Sequence, residues 1–305
     1  MLELSPSQAA IARACWKKYY WKYIEGLEPI KRDVKLTLGG VVHEAFDEFY
    51  NGHSETDILT EIKNKFDQEI SRLTEPGDVE KMIIAKYTAV GMWAYYPYKN
   101  KNDFQEIHSE EEFNISFGRK VRGVRLRGRV DGRVKKENCW WVREVKTTSN
   151  AALFEKQLDV ADQATGYVYA LRKLGFDVVG VMYDLIRKPL LRQRAQESVD
   201  DFGKRIMADY KERPNEYYTR PYTYRTHVDL KHYEEDMIDL AREIRDHRRR
   251  GLWRRNPDAC WRFNRECEFK KICFQENPDP LTIQLYYTKK QKKDQPTQQQ
   301  PEDEE

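Results

Sequence analysis

Leu126–Asn150 reads LRGRVDGRVKKENCWWVREVKTTSN. Two runs rich in β-branched and aromatic residues flank the polar segment 135–138, which is the pattern of a hairpin. With the turn inside that segment, Val134 and Lys135 are expected opposite Cys139 and Asn138, so that Asp131 lies opposite Val142 and diagonal to Glu144. Side chains two apart on a strand share a face, so Asp131, Glu144 and Lys146 are expected to converge on one patch. Gly128 and Gly132 flank the aspartate and leave room for a substrate backbone.

Carboxylate oxygens held on a sheet are hard ligands suited to Mg²⁺ or Mn²⁺. Such an ion acidifies water and polarises a phosphodiester, while a neighbouring ammonium offsets charge that develops in the transition state. The hairpin therefore suits metal-assisted phosphodiester hydrolysis. A solvated salt bridge would use the same residue types. Against it stands the setting of Lys146, between Val145 and Thr147 on a strand with Trp140, Trp141 and Val142, where a charge needs a partner or a purpose.

Outward from the hairpin, EEFNISFG from Glu110 adds a third strand, a helix is expected over about 154–174, and VVGVMYDLI at 178–186 reads as a buried strand. Upstream, Ser5-Pro6-Ser7-Gln8 carries a capping signature for a helix running to about Glu25, and further helices are expected over 37–50, 56–74 and 78–98. Downstream helices are expected over about 195–212 and 229–250. The fold class is α/β: a small mixed β-sheet flanked by helices, with large helical N- and C-terminal elaborations.

The 305 residues suffice for a sizeable core, and Lys+Arg 54 against Asp+Glu 51 leaves a net charge of only +3, so any basic surface must be local. No apolar run approaches bilayer length and MLELSPSQAA lacks the order of a signal peptide, so a cytoplasmic location and no membrane partner are expected. Five cysteines, an odd number, argue against a disulfide framework and favour a metal or cluster.

These residues resemble the RecB-type branch of the PD-(D/E)XK nuclease superfamily. GGVVHEAFDEFY is similar to its Gly-x-x-x-His helix at His43, GRVDG to its Asp motif at Asp131, REVKTTS to its Glu-x-Lys at Glu144 and Lys146, and DQATGYVYAL to its Gln-x-x-x-Tyr helix at Gln163 and Tyr167. The resemblance implies a sheet of the restriction-endonuclease type, a metal held by His43, Asp131, Glu144 and the Val145 carbonyl, a catalytic Lys146, and Gln163 and Tyr167 positioning the hairpin or the DNA. Without it, His43 reads as a satisfied near-core histidine and the Gln/Tyr pair as an ordinary helix pair. One nuclease domain is expected over 1–287, helical over 1–105, with its core over 106–190 and a cysteine-bearing part over 191–287, followed by a disordered tail over 288–305.

Many members of that branch hold a [4Fe-4S] cluster with one cysteine ahead of the core and three behind it. Cys15, Cys260, Cys267 and Cys273 stand in that arrangement, although six residues separate Cys260 from Cys267 where the better known pattern has two. Zinc is the alternative for four thiolates. Arg187, Lys188, Arg192 and Arg220 are candidate phosphate contacts, as is the run Arg242, Arg245, Arg248, Arg249, Arg250, Arg254 and Arg255. The function expected is a metal-dependent DNA nuclease, foremost an exonuclease of recombination, repair or phage DNA processing, acting on single strands or duplex ends, with a helicase, annealing protein or CRISPR-type machinery as partner. A non-catalytic DNA-binding scaffold is the rival, and a sequence-specific endonuclease a weaker one.

Overall fold

A computed structural model of the chain describes residues 1–30, 33–262, 265–275 and 277–290. They gather into two compact units, 1–10 with 33–251 and 11–30 with the described residues of 252–290.

The first unit is built on a mixed seven-stranded sheet flanked by helices, as expected of the fold class. Its central path runs Leu2–Leu4, Val124–Lys136, Cys139–Thr148, Val178–Arg187, Tyr218–Thr219; Glu106–Ser116 pairs with the Asp131 strand and Tyr222–Tyr224 with Val178–Arg187. The strands Cys139–Thr148 and Val178–Arg187 run parallel, which requires the helical crossover between them. Leu2–Leu4, parallel to Val124–Leu126, is too short for periodicity to reveal.

Glu137 and Asn138 both adopt positive φ, 52° and 63°, as the centre of a type I′ turn requires, and Lys136 pairs with Cys139. The ladder is thus two residues out of the expected register: Val134 faces Trp141, and Asp131 falls beside Glu144 instead of opposite Val142. A shift of two preserves the alternation of faces, whereas a shift of one would have inverted it.

Behind the sheet, helices Val34–Tyr50, Glu55–Ile70, Pro76–Ala94 and Val199–Glu212 share a core with Val145 and Ile186. The apolar positions of the first, Leu38, Val41, Val42, Ala45, Phe46 and Phe49, are all buried. Asp33, Ser54, Ser198 and Thr226 cap four helices of this unit, the last with a full capping box.

Two expected helices are interrupted. The one foreseen over 154–174 resolves into Ala151–Glu155, a 3-10 turn Leu158–Val160 and Asp162–Lys173. Arg225 braces the break: its Nη2 donates to the carbonyls of Leu158 at 2.7 Å and Ala161 at 3.3 Å, which also accept the N–H groups of Ala161 and Thr165. The helix after Ser5 is capped as predicted, with Ser5 and Gln8 exchanging hydrogen bonds, but it ends at Ala14. Cys15 is extended (φ −165°, ψ 116°) before Trp16–Tyr19 and a π-helical turn Tyr20–Ile24.

In the second unit the Lys17 N–H donates to the Arg254 carbonyl at 2.9 Å. Trp21, Leu27, Phe269, Ile272 and Tyr287 form its core. Leu27–Pro29 pairs antiparallel with Tyr287–Lys289, so Thr288 and Lys289 belong to a strand and not to the expected tail; residues 291–305 of that tail lie outside the described residues. Among the described residues no helix is long and apolar enough to cross a membrane.

Candidate active site

The ladder between the Asp131 strand and the Glu-x-Lys strand ends with the pair Gly132 and Arg143. There Asp131 Oδ2 accepts the N–H of Val145 at 2.8 Å, and the helix Val34–Tyr50 brings His43 Nδ1 to 3.0 Å from the same oxygen. Glu144 is 2% exposed; its Oε1 meets Lys146 Nζ at 2.5 Å, and its Oε2 is buried with no hydrogen-bond partner among the described residues. On the crossover helix Asp162–Lys173, Gln163 Nε2 donates to the Tyr167 hydroxyl at 2.7 Å. The two motif residues meet one turn apart, as i and i+4 positions do.

Electrostatics tie these side chains into one site. Burial drives the Asp131 carboxyl up, but the His43 imidazole, the Val145 N–H and Lys146 outweigh it and hold the group below the ordinary carboxylate range. Burial raises Glu144 to about 7, with Asp131 adding to the effect and Lys146 opposing it. Lys146 is lifted above its usual value because Glu144 and Asp131 overcome its desolvation. The Tyr167 phenol is driven up by burial and then by the charges of Glu144 and Asp131, which sets this helix against the two acids.

Alternation turns Arg143 to the opposite face, where its Nε meets Asp184 Oδ2 at 2.7 Å and Arg220 Nε meets Asp184 Oδ1 at 2.7 Å. Arg220, expected among the phosphate contacts, is a member of this buried ion cluster and also donates to the Tyr96 hydroxyl at 3.0 Å. The two glycines beside Asp131 likewise serve packing and not substrate access. A Cβ on Gly128 would stand 2.5 Å from Phe113 Cζ, and one on Gly132 would stand 2.9 Å from the His108 carbonyl. Much of the arginine run is answered by its own helix: Arg242 pairs with Asp239 at 2.6 Å, and Arg249 and Arg250 with Asp246 at 2.6 and 3.1 Å.

Glu110 is a neighbour that sequence reasoning missed. It sits between the ladder pairs Ser109–Gly132 and Glu111–Val130, across from Asp131, with φ 45° and its carboxylate 2.6 Å from Arg129 Nη1. Only the register of the preceding strand reveals it.

In the second unit, Cys15, Cys260, Cys267 and Cys273 line one small pocket together with Lys18, Arg255, Asn256 and Phe269. The spacing between Cys260 and Cys267 is taken up by a hairpin, Trp261–Arg262 against Arg265–Glu266, and just outside it the Cys267 N–H donates to the Cys260 carbonyl at 2.8 Å. Burial, then the thiols of Cys15, Cys267 and Cys260, push Cys273 up to about 11. Cys139 is exposed at the end of its own hairpin.

Among the described residues, no three His, Cys, Asp or Glu side chains are already drawn into a ready cage for an ion. The donor chemistry nevertheless fits. An imidazole on one carboxylate, and a second carboxylate that feels both charges and keeps a buried oxygen without a partner among the described residues, are donors that suit a hard divalent cation. Four thiols around one pocket suit a cluster or zinc.

A search of curated proteins finds no match to the chain. The family model of the PD-(D/E)XK nuclease superfamily matches residues 3–274, spanning both the strands that carry Asp131, Glu144 and Lys146 and the four pocket cysteines, and the chain belongs to that superfamily.

Proposed function

We propose that the chain is a divalent-metal-dependent deoxyribonuclease, working as an exonuclease in recombination, repair or phage DNA processing. The observation that carries this reading is Glu144, a buried acid with one oxygen on Lys146 and the other without a partner among the described residues, beside an Asp131 held charged by His43 and the Val145 N–H. His43, Asp131, Glu144 and the Val145 carbonyl are the residues that would hold Mg²⁺ or Mn²⁺. When bound, such an ion supplies positive charge to the phosphate and acidity to water. Lys146 draws Glu144 toward its charged form and offsets negative charge at the phosphate. Gln163 and Tyr167 support the site from the crossover helix. The exonuclease assignment is supported by the likeness of His43 and the Gln163–Tyr167 pair to the RecB-type branch.

Cys15, Cys260, Cys267 and Cys273 are proposed to hold a [4Fe-4S] cluster, with zinc as the alternative. The hairpin supports Cys260 as a ligand by bringing it beside Cys267 despite the longer spacing. Held by all four, the cluster would staple two segments far apart in sequence.

The test is cleavage of 5′- and 3′-labelled single- and double-stranded DNA with Mg²⁺ or Mn²⁺, by protein purified anaerobically and assayed for iron and zinc. Metal-dependent cleavage that disappears in Lys146→Ala supports the nuclease. Tight binding without cleavage would instead identify a non-catalytic scaffold subunit.

A further inference from the structure

We propose that Arg187 binds a backbone phosphate of the nucleic acid beside the scissile one; this rests on the nuclease reading above. Arg187 pairs with Thr148, two residues beyond the Lys146–Leu185 pair of the same parallel ladder. Alternation along Val178–Arg187 puts it on the face of Tyr183 and Leu185. That face belongs to the site, since Tyr183 pairs with Glu144 and Leu185 with Lys146 in the same parallel ladder. Arg187 is also the last residue of its strand, so its guanidinium extends at the carboxyl ends of two parallel strands, where open α/β sheets bind ligands.

The second observation is chemical. Arg187 Nε is buried and has no hydrogen-bond partner among the described residues. Other arginines of this sheet are answered: Arg133 is forked onto Glu111 at 2.8 Å through both Nε and Nη2, and Arg220 rests on Asp184. Arg225 uses Nε and both terminal nitrogens on Thr165, Thr223, Tyr224, Leu158 and Ala161. Arg143 leaves Nη2 bare, but it holds Asp184 and lies 4.1 Å from the Tyr50 ring. The main chain of Arg187 is pinned, its carbonyl accepting the Tyr210 hydroxyl at 2.8 Å. A desolvated N–H on a guanidinium whose backbone is anchored calls for an acceptor, and a phosphodiester offers two oxygens at the spacing of the guanidinium fork.

Binding of a labelled single-stranded oligonucleotide, with Ca²⁺ in place of Mg²⁺, is measured across a salt series for wild type, Arg187→Met and Arg187→Lys. Arg187→Met should weaken binding about tenfold and reduce the slope of log K against log salt by about 0.7, one phosphate contact on a single strand. Arg187→Lys should restore the slope, and Mn²⁺ affinity by calorimetry should be the same in all three. An unchanged slope in Arg187→Met overturns the proposal, as does weakening shared by Arg187→Lys with an equal fall in thermal midpoint. Wild type that cleaves DNA while Arg187→Met binds equally well sinks Arg187 alone. Wild type that neither binds nor cleaves sinks the nuclease reading with it.

Discussion

Lys146 Nζ lies 2.5 Å from Glu144 Oε1, while the second oxygen of that carboxylate is buried without a partner among the described residues. The acid is therefore balanced between two forces of opposite sign. Desolvation favours its neutral form, the ammonium its charged form, and the outcome is a carboxyl near neutrality, at about 7.

Removing the ammonium should tip that balance. In Lys146→Met only His43 is left to oppose burial and Asp131, so the acid should stay protonated at neutral pH. Cleavage of labelled DNA at pH 7.5 should fall by about 10²–10³-fold, the scale of losing one aligned charge-stabilising group. The rising limb of the pH profile should move upward. A rate within a few-fold of wild type would remove Lys146 from the site.

Stability should report the same carboxyl in the absence of metal. Its folded value, about 7, exceeds the roughly 4.3 of an unfolded glutamate, so the folded chain binds the proton more tightly. That contribution is complete below about pH 4 and disappears as pH rises through 7. In EDTA, the unfolding free energy of wild type minus that of Glu144→Gln should decline by on the order of 2 kcal/mol between pH 5 and pH 8. Urea titrations at each pH measure it, and parallel pH dependences would show that Glu144 titrates as an ordinary surface acid.

Arg220 should behave as a structural residue. Arg220→Met leaves the fully buried Asp184 with Arg143 alone and should cost about 3–5 kcal/mol, the scale for breaking a buried pair from one side. The salt dependence of DNA binding should not change in the folded fraction. Near-native stability with a shallower salt slope would return Arg220 to the phosphate contacts.

Gly180 should tolerate no side chain. A Cβ there would run into the Thr223 carbonyl and stand 2.9 Å from Tyr224 Cα, and backbone cannot swing aside as a side chain can. Gly180→Ala should destabilise by about 1–3 kcal/mol in chemical denaturation. A neutral effect would mean that the edge strand Tyr222–Tyr224 does not hold its place on Val178–Arg187.

Much of the site was legible because face alternation depends on parity. Asp131, Glu144 and Lys146 could be assigned to one patch even though the turn at Glu137–Asn138 set a different register. Helical periodicity likewise placed Gln163 and Tyr167 together. What escaped depends on partners distant in sequence. Nothing near Arg220 announces Asp184, nothing near Gly128 announces the Phe113 ring, and the break before Asp162 is bridged by Arg225, more than sixty residues downstream. Glu110 required the pairing of a strand that its own composition leaves undetermined.

The short hairpin between Cys260 and Cys267 carries a lesson about counting. Two thiols at the foot of an antiparallel ladder remain neighbours however many matched pairs are added above them, so their proximity follows from registration and is indifferent to contour length. Relatives whose ribbons are longer or shorter by whole rungs can keep the same sulfur geometry while defeating any search pattern that specifies a fixed interval.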